Sequence, residues 1–133
     1  MLSLIRFIHN YGSYVPFISL VLMTAVIIDA RLVLGYFPIY GVTPEPPWIG
    51  RDPNLPNYSN NTSMMLLYSS SMLSLTISVL IVIAWIVCTL IGVTIYREDF
   101  KLNHFSTIVF GISVSSFHII EWCFPNVFMW YMD

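Results

Sequence analysis

Hydrophobic residues along this chain fall into three long blocks, and the polar residues gather in the gaps between them. The longest block, residues 64–96 (MMLLYSSSMLSLTISVLIVIAWIVCTLIGVTIY), runs for 33 positions without a charge. As one helix it would measure roughly 50 Å, against a hydrocarbon core of about 30 Å. It is therefore expected to tilt, or to project its serine-rich start beyond the core. The first block, residues 14–36, is uncharged from Val15 to Ile28 and continues through Asp29-Ala30-Arg31 into Leu32-Val33-Leu34. The third covers residues 105–124. Each is long enough to cross a bilayer as a helix. In lipid the backbone must satisfy its own hydrogen bonds, so an all-α membrane protein with three transmembrane helices is the expected fold. Pro16 falls in the first turn of its block, where a missing N–H costs nothing. A cleaved signal peptide is the competing reading of that block, but its apolar run is long for one and lacks a clear A-x-A site.

The gaps define the rest of a single polytopic domain over residues 1–133. Residues 37–63 hold six of the eight prolines and both Gly41 and Gly50. Proline removes donors and restricts the residue before it, which predicts an extramembrane Pro-rich loop. Its aromatics Phe37, Tyr40, Trp48 and Tyr58 suit the headgroup zone. Asn57, Asn60 and Asn61 each begin an N-x-S/T sequon, or simply a polar turn cluster. Residues 97–104 (REDFKLNH) form a charged turn short enough to bring the next helix back antiparallel against the last. Residues 1–12 place Ser3, Arg6 and Asn10 on one helical face and Leu4, Phe7 and Ile8 towards another, which suits an interfacial helix or a frayed turn. The tail, residues 125–133, follows Pro125, and its Trp130 and Tyr131 read as an interfacial anchor.

Composition agrees with the pattern. Apolar residues make up 57% of the chain and charged residues 9%, where soluble domains carry about 25% charged residues. Too few polar residues remain to cover a small globule, so the lipid bilayer is the expected partner. The formal charge of −2 and the absence of a basic patch exclude a nucleic-acid binder. An odd number of spans puts the N-terminus and the 97–104 turn on one side. Arg6, Arg97 and Lys101 collect there, against Arg31 and Arg51 opposite. The positive-inside rule then predicts a cytoplasmic N-terminus. Size and simplicity suggest a bacterial inner membrane, with a secretory membrane left open by the sequons. Cys88 and Cys123 lie at different expected depths, which disfavours a disulfide.

Candidate chemistry rests on four ionisable residues inside the blocks: Asp29, Arg31, His118 and Glu121. Such groups need partners or a water-filled cavity. Asp29 lies roughly 22 Å along the first helix, and His118 and Glu121 about 20 and 24 Å along the parallel third. The four are thus expected at one level. Gly111, Ser115, His118 and Glu121 form a polar stripe on that third helix, read as an inward face that joins Asp29 or Arg31 in a cross-helix cluster. Such a cluster could bind protons or ions along a conduit; it could equally clamp helix packing or snorkel to the headgroups. No metal or cofactor is expected, because His118-x-x-Glu121 offers only two ligands where carboxylate bundles combine motifs from several helices. Nor is an enzyme expected, since no G-x-S-x-G or comparable constellation occurs.

The second block carries a separate seam. Ser71, Ser74, Ser78, Trp85, Cys88 and Gly92 recur at spacings of three, four or seven. Small residues let helices approach closely in lipid, so the seam predicts a helix contact within the chain or with another copy. The expected function is helix–helix assembly, as a homo-oligomer or as a subunit docked on another membrane protein. The alternative is an oligomeric channel or membrane-perturbing effector, of a stress or anti-phage type, with a polar path near His118 and Glu121.

Overall fold

A computed structural model describes residues 1–34, 37 and 62–132. The described residues form five helices and no strand: α1 (Leu2–Tyr11), α2 (Tyr14–Leu34), α3 (Thr62–Ile95), α4 (His104–Cys123) and α5 (Pro125–Met132). Three stretches are long and apolar enough to cross a membrane: Leu2–Leu32, Leu66–Ile95 and His104–Cys123. Apart from Phe37 and the first residues of α3, the Pro-rich loop with its sequons lies outside the described residues.

α2 packs most extensively on α3 and then on α4. Cross-helix hydrogen bonds report the directions. Arg6 pairs with Asp99, His9 with Asn103 and Ser13 with Ser106, at sequence separations of 93, 94 and 93. A constant offset means that the first and last spans run parallel. Ser19 pairs with Ser74 while His9 pairs with Thr89, so residue numbers fall on α3 as they rise on α2, and that pair is antiparallel.

The 97–104 turn does not lay α4 directly on α3. The closest backbone neighbour of α4 is α2, and the gap to α3 is filled by Trp85 and Phe110, stacked with ring centroids 3.9 Å apart. Two rings of that size hold the backbones apart. Phe100 fills the space beneath the turn against Gly92, where an added Cβ would come within 2.7 Å of its ring.

The first span starts earlier than hydropathy alone suggests. Residues 2–11 form a helix, not a frayed turn, and it packs on α3 with Ile5 and His9 buried. Pro16 explains the break between α1 and α2. It cannot donate to the Gly12 carbonyl, and its ring crowds that group. Val15 N–H takes the carbonyl instead, at 3.3 Å. Gly12 also sits flush against α3, where a Cβ would lie 3.3 Å from Trp85 and 3.4 Å from Ile81.

At the opposite end the tail departs from its expected role. Phe124 leaves the helical conformation at φ −132°, ψ 54°, and Pro125 opens α5, where the missing N–H is harmless. α5 folds back so that Trp130 and Tyr131 are 1% and 0% exposed. They join Met23, Val26, Ile27, Ala30 and Tyr68 in the apolar core. The pair therefore serves as core packing and not as an outward anchor. Spaced three and four positions beyond Val127, which packs against the same core, it lies on the inner face of that short helix.

Candidate functional site

The buried polar atoms gather where α1 meets α3 and the start of α4. The α1–α2 break leaves the His9 carbonyl without a helical donor, and side chains take it. Trp85 Nε1–H donates to it at 2.8 Å, and the Ser106 hydroxyl donates as well. The His9 ring is fully buried and occupied at both nitrogens. Asn103 backbone N–H lies 3.0 Å from Nε2. A backbone N–H can only donate, so Nε2 is the acceptor and the proton sits on Nδ1, which faces Thr89 Oγ1 at 2.9 Å. The ring stacks on Trp85 at 5.2 Å and meets the edge of Phe100 at 5.1 Å. Asn103 is itself the N-cap of α4, its side chain accepting from Ser106 N–H at 3.2 Å. Arg6 donates to the Asp99 carbonyl, which ties α1 to the charged turn.

The serine seam on α3 faces into the bundle. Ser71 and Ser78 are buried, Ser74 meets Ser19 Oγ at 2.7 Å, and Cys88 is half-buried. Ser71, Ser78, Trp85 and Gly92, one heptad apart, all turn inward. At the α5 end Ser71 Oγ bonds Tyr131 Oη, and Tyr68 O–H donates to the Tyr131 carbonyl at 3.0 Å. Burial pushes the Tyr131 hydroxyl above its ordinary pKa, and the bond to Ser71 pulls the other way.

The four ionisable candidates do not assemble. The offset of 93 or 94 is set at the α1 end, by pairs between residues 6–13 and 99–106; continued along parallel helices at about 1.5 Å per residue it corresponds to Asp29 opposite Trp122 and Cys123. The directions of the four differ, however. His118 and Glu121 share a face, with Nδ1 3.4 Å from Oε2, but their side chains are 74% and 58% exposed. Arg31 lies over the Phe37 ring at 5.5 Å. Asp29 Oδ2 is enclosed and has no hydrogen-bond partner among the described residues. Among the described residues no hydrogen bond or ion pair joins Asp29 or Arg31 to the α4 pair, and no three His, Cys, Asp or Glu side chains converge on one point.

The stripe expected to face inward faces outward. Gly111 and Ser115 are exposed with His118 and Glu121, and a Cβ added to Gly111 would meet nothing within 4 Å. The outermost line of α4 reads His104, Thr107, Gly111, Ser115, His118, Trp122, all exposed. The outside of α3 carries Leu73, Ile77, Leu80, Ile83, Val87 and Leu90, with Ser69, Ser70, Thr76 and Thr94 also exposed. Other residues take the inward polar places of the bundle. Its polar positions are already held by Ser19, Ser74, Ser78, Ser106 and Ser113.

Two features of this arrangement escaped the sequence reading. His9 carried no repeating pattern, and its only signal was the pairing of Gly12 with Pro16, which frees a carbonyl one turn ahead. Thr89 and Asn103 were equally unmarked. Comparison with family models, with curated proteins and with solved structures finds no match to this chain.

Proposed function

We propose that this chain is an integral membrane protein without chemistry of its own, which works by helix–helix assembly as a homo-oligomer or as a subunit of a larger membrane complex. One observation carries the reading: α4 turns a line of small and ionisable residues outward. The most apolar line on the outside of α3 reads Leu73, Ile77, Leu80, Ile83, Val87 and Leu90. On α4 a threonine, a glycine, a serine and two histidines lie outward among the exposed Phe105, Ile108, Ile112, Ile119 and Trp122. Ionisable and small residues on a lipid-facing helix are the composition of a surface that another helix covers. The α3 seam is used up inside the chain, so α4 is the face left for assembly.

Native mass spectrometry of the detergent-solubilised protein tests this. Additional copies or a stoichiometric membrane partner are expected; a bare monomer at all detergent concentrations overturns it. A second reading, an oligomeric channel, is favoured by the same outward turn of His118 and Glu121, because copies arranged with α4 innermost would surround a polar path. It requires ion flux in liposomes that His118→Ala or Glu121→Gln abolishes.

For orientation, Arg6, Arg97 and Lys101 at the α1 end support a cytoplasmic N-terminus by the positive-inside rule. A bacterial cytoplasmic membrane is the setting in which that rule would apply here.

A further inference from the structure

We propose that the occupant of the outward α4 face is a second copy of this chain, paired in parallel so that His118 of each copy bonds Glu121 of the other. The proposal rests on the assembly reading and names its partner. Copies inserted in one direction can be related by a two-fold axis only along the membrane normal, so two α4 helices meet in parallel and each residue faces its own level. A face bearing charge of one sign would repel itself in that geometry and would need a foreign partner of opposite charge. This face carries an acid and a base three residues apart, about 4.5 Å along the axis. Brought together, two such faces place each histidine beside the other copy's carboxylate, a ring of four alternating groups.

The geometry leaves the necessary atoms in place. Within one chain only Nδ1 of His118 approaches Glu121, through Oε2. Among the described residues, His118 Nε2 and Glu121 Oε1 have no partner and are available to the second copy. The exposed Gly111 and Ser115 form a small-x-x-x-small step that allows close backbone approach before the charged groups. Ile108, Ile119 and the 88% exposed Trp122 flank this step and would pack around it. The line Leu73, Ile77, Leu80, Ile83, Val87 and Leu90 on α3 has no such step.

Cysteine cross-linking of the full chain in liposomes tests the pairing. In a background carrying Cys88→Ser and Cys123→Ser, Ser115→Cys should give a covalent dimer on mild oxidation, and Leu80→Cys on the outer face of α3 should not. Gly111→Leu should lower the Ser115→Cys dimer about tenfold or more, with helical content unchanged because that side chain would enter open space. His118→Glu should do the same by placing four carboxylates together. The exchanged protein, His118→Glu with Glu121→His, should recover the dimer, which a merely structural role for either residue would not produce. Dimers from Leu80→Cys but not Ser115→Cys overturn the proposal and leave assembly standing. So does a retained foreign protein with no self-linking. A chain that is monomeric and partnerless removes both.

Discussion

Replacing His9 with phenylalanine separates its hydrogen bonds from its shape. The ring is fully buried between Trp85 and Phe100, and phenylalanine keeps a flat ring there. What is lost is the acceptor for Asn103 N–H and the donor to Thr89 Oγ1. The threonine hydroxyl can turn to its own helix carbonyl one turn back, as Thr76 and Thr94 do on the same helix, so that loss is small. The Asn103 N–H has no such escape, because it lies at the N-cap of α4, ahead of the first helical acceptors. A buried donor left without a partner costs about 1–3 kcal/mol. His9→Phe is therefore expected to destabilise the bundle by about 2 kcal/mol, roughly a thirtyfold change in the unfolding equilibrium. Thr89→Val strands the other end of the ring and should cost about 1 kcal/mol. Because both act through one ring, the double variant should cost little more than His9→Phe alone, a coupling of about 1 kcal/mol. The measurement is reversible unfolding in mixed micelles of rising dodecyl sulfate fraction, followed by circular dichroism. If His9→Phe unfolds within about 0.5 kcal/mol of the parent, or if the two substitutions add, the His9 hub does not hold α1 in place.

Other outcomes follow from the same geometry. Gly92→Ala puts a methyl group 2.7 Å from the Phe100 ring and should lower stability in the same assay by about 1–3 kcal/mol, the usual cost of overpacking. Tyr131→Phe keeps the ring and removes the bond to Ser71, at a cost of about 1 kcal/mol. Because burial raises the folded pKa of Tyr131, its contribution is complete below the unfolded tyrosine value of about 10 and is lost as pH rises through the higher folded value. Near-ultraviolet phenolate absorbance should therefore show a late-ionising tyrosine that Tyr131→Phe abolishes. Cys123 is exposed at the end of α4, so an impermeant maleimide added outside intact cells should label it if the N-terminus is cytoplasmic; labelling only after lysis reverses the orientation. Asp29→Asn should leave stability unchanged or raise it, because the enclosed Oδ2 has no hydrogen bond to lose among the described residues.

Helix existence was legible because it follows from counting residues. Uncharged length alone identifies Leu66–Ile95. The α3 seam was legible too, since Ser71, Ser78, Trp85 and Gly92 lie one heptad apart and small residues rarely line up without a helix to receive them. The direction of the α4 stripe was not. A helical wheel tells which residues share a face and is silent on what that face meets, and Gly111 to Glu121 fits a core as well as an interface. Tyr131 and Trp130 misled for a related reason. Their amphipathic rings suit a headgroup or a buried site with a hydroxyl partner, and Ser71, the partner of Tyr131, lies 60 residues away.

The break at Gly12 sets the order in which this molecule can be completed. The groups that quiet the carbonyl freed in α1, Trp85 and Ser106, are translated 76 and 97 positions after it. A strand of hydrogen bonds with that sequence separation forms late and slowly relative to local helix formation. Trp85 on α3 is the first of the two donors to be made, and Ser106 on α4 completes the pair. The packing of α1 is therefore completed only once both α3 and α4 have been made.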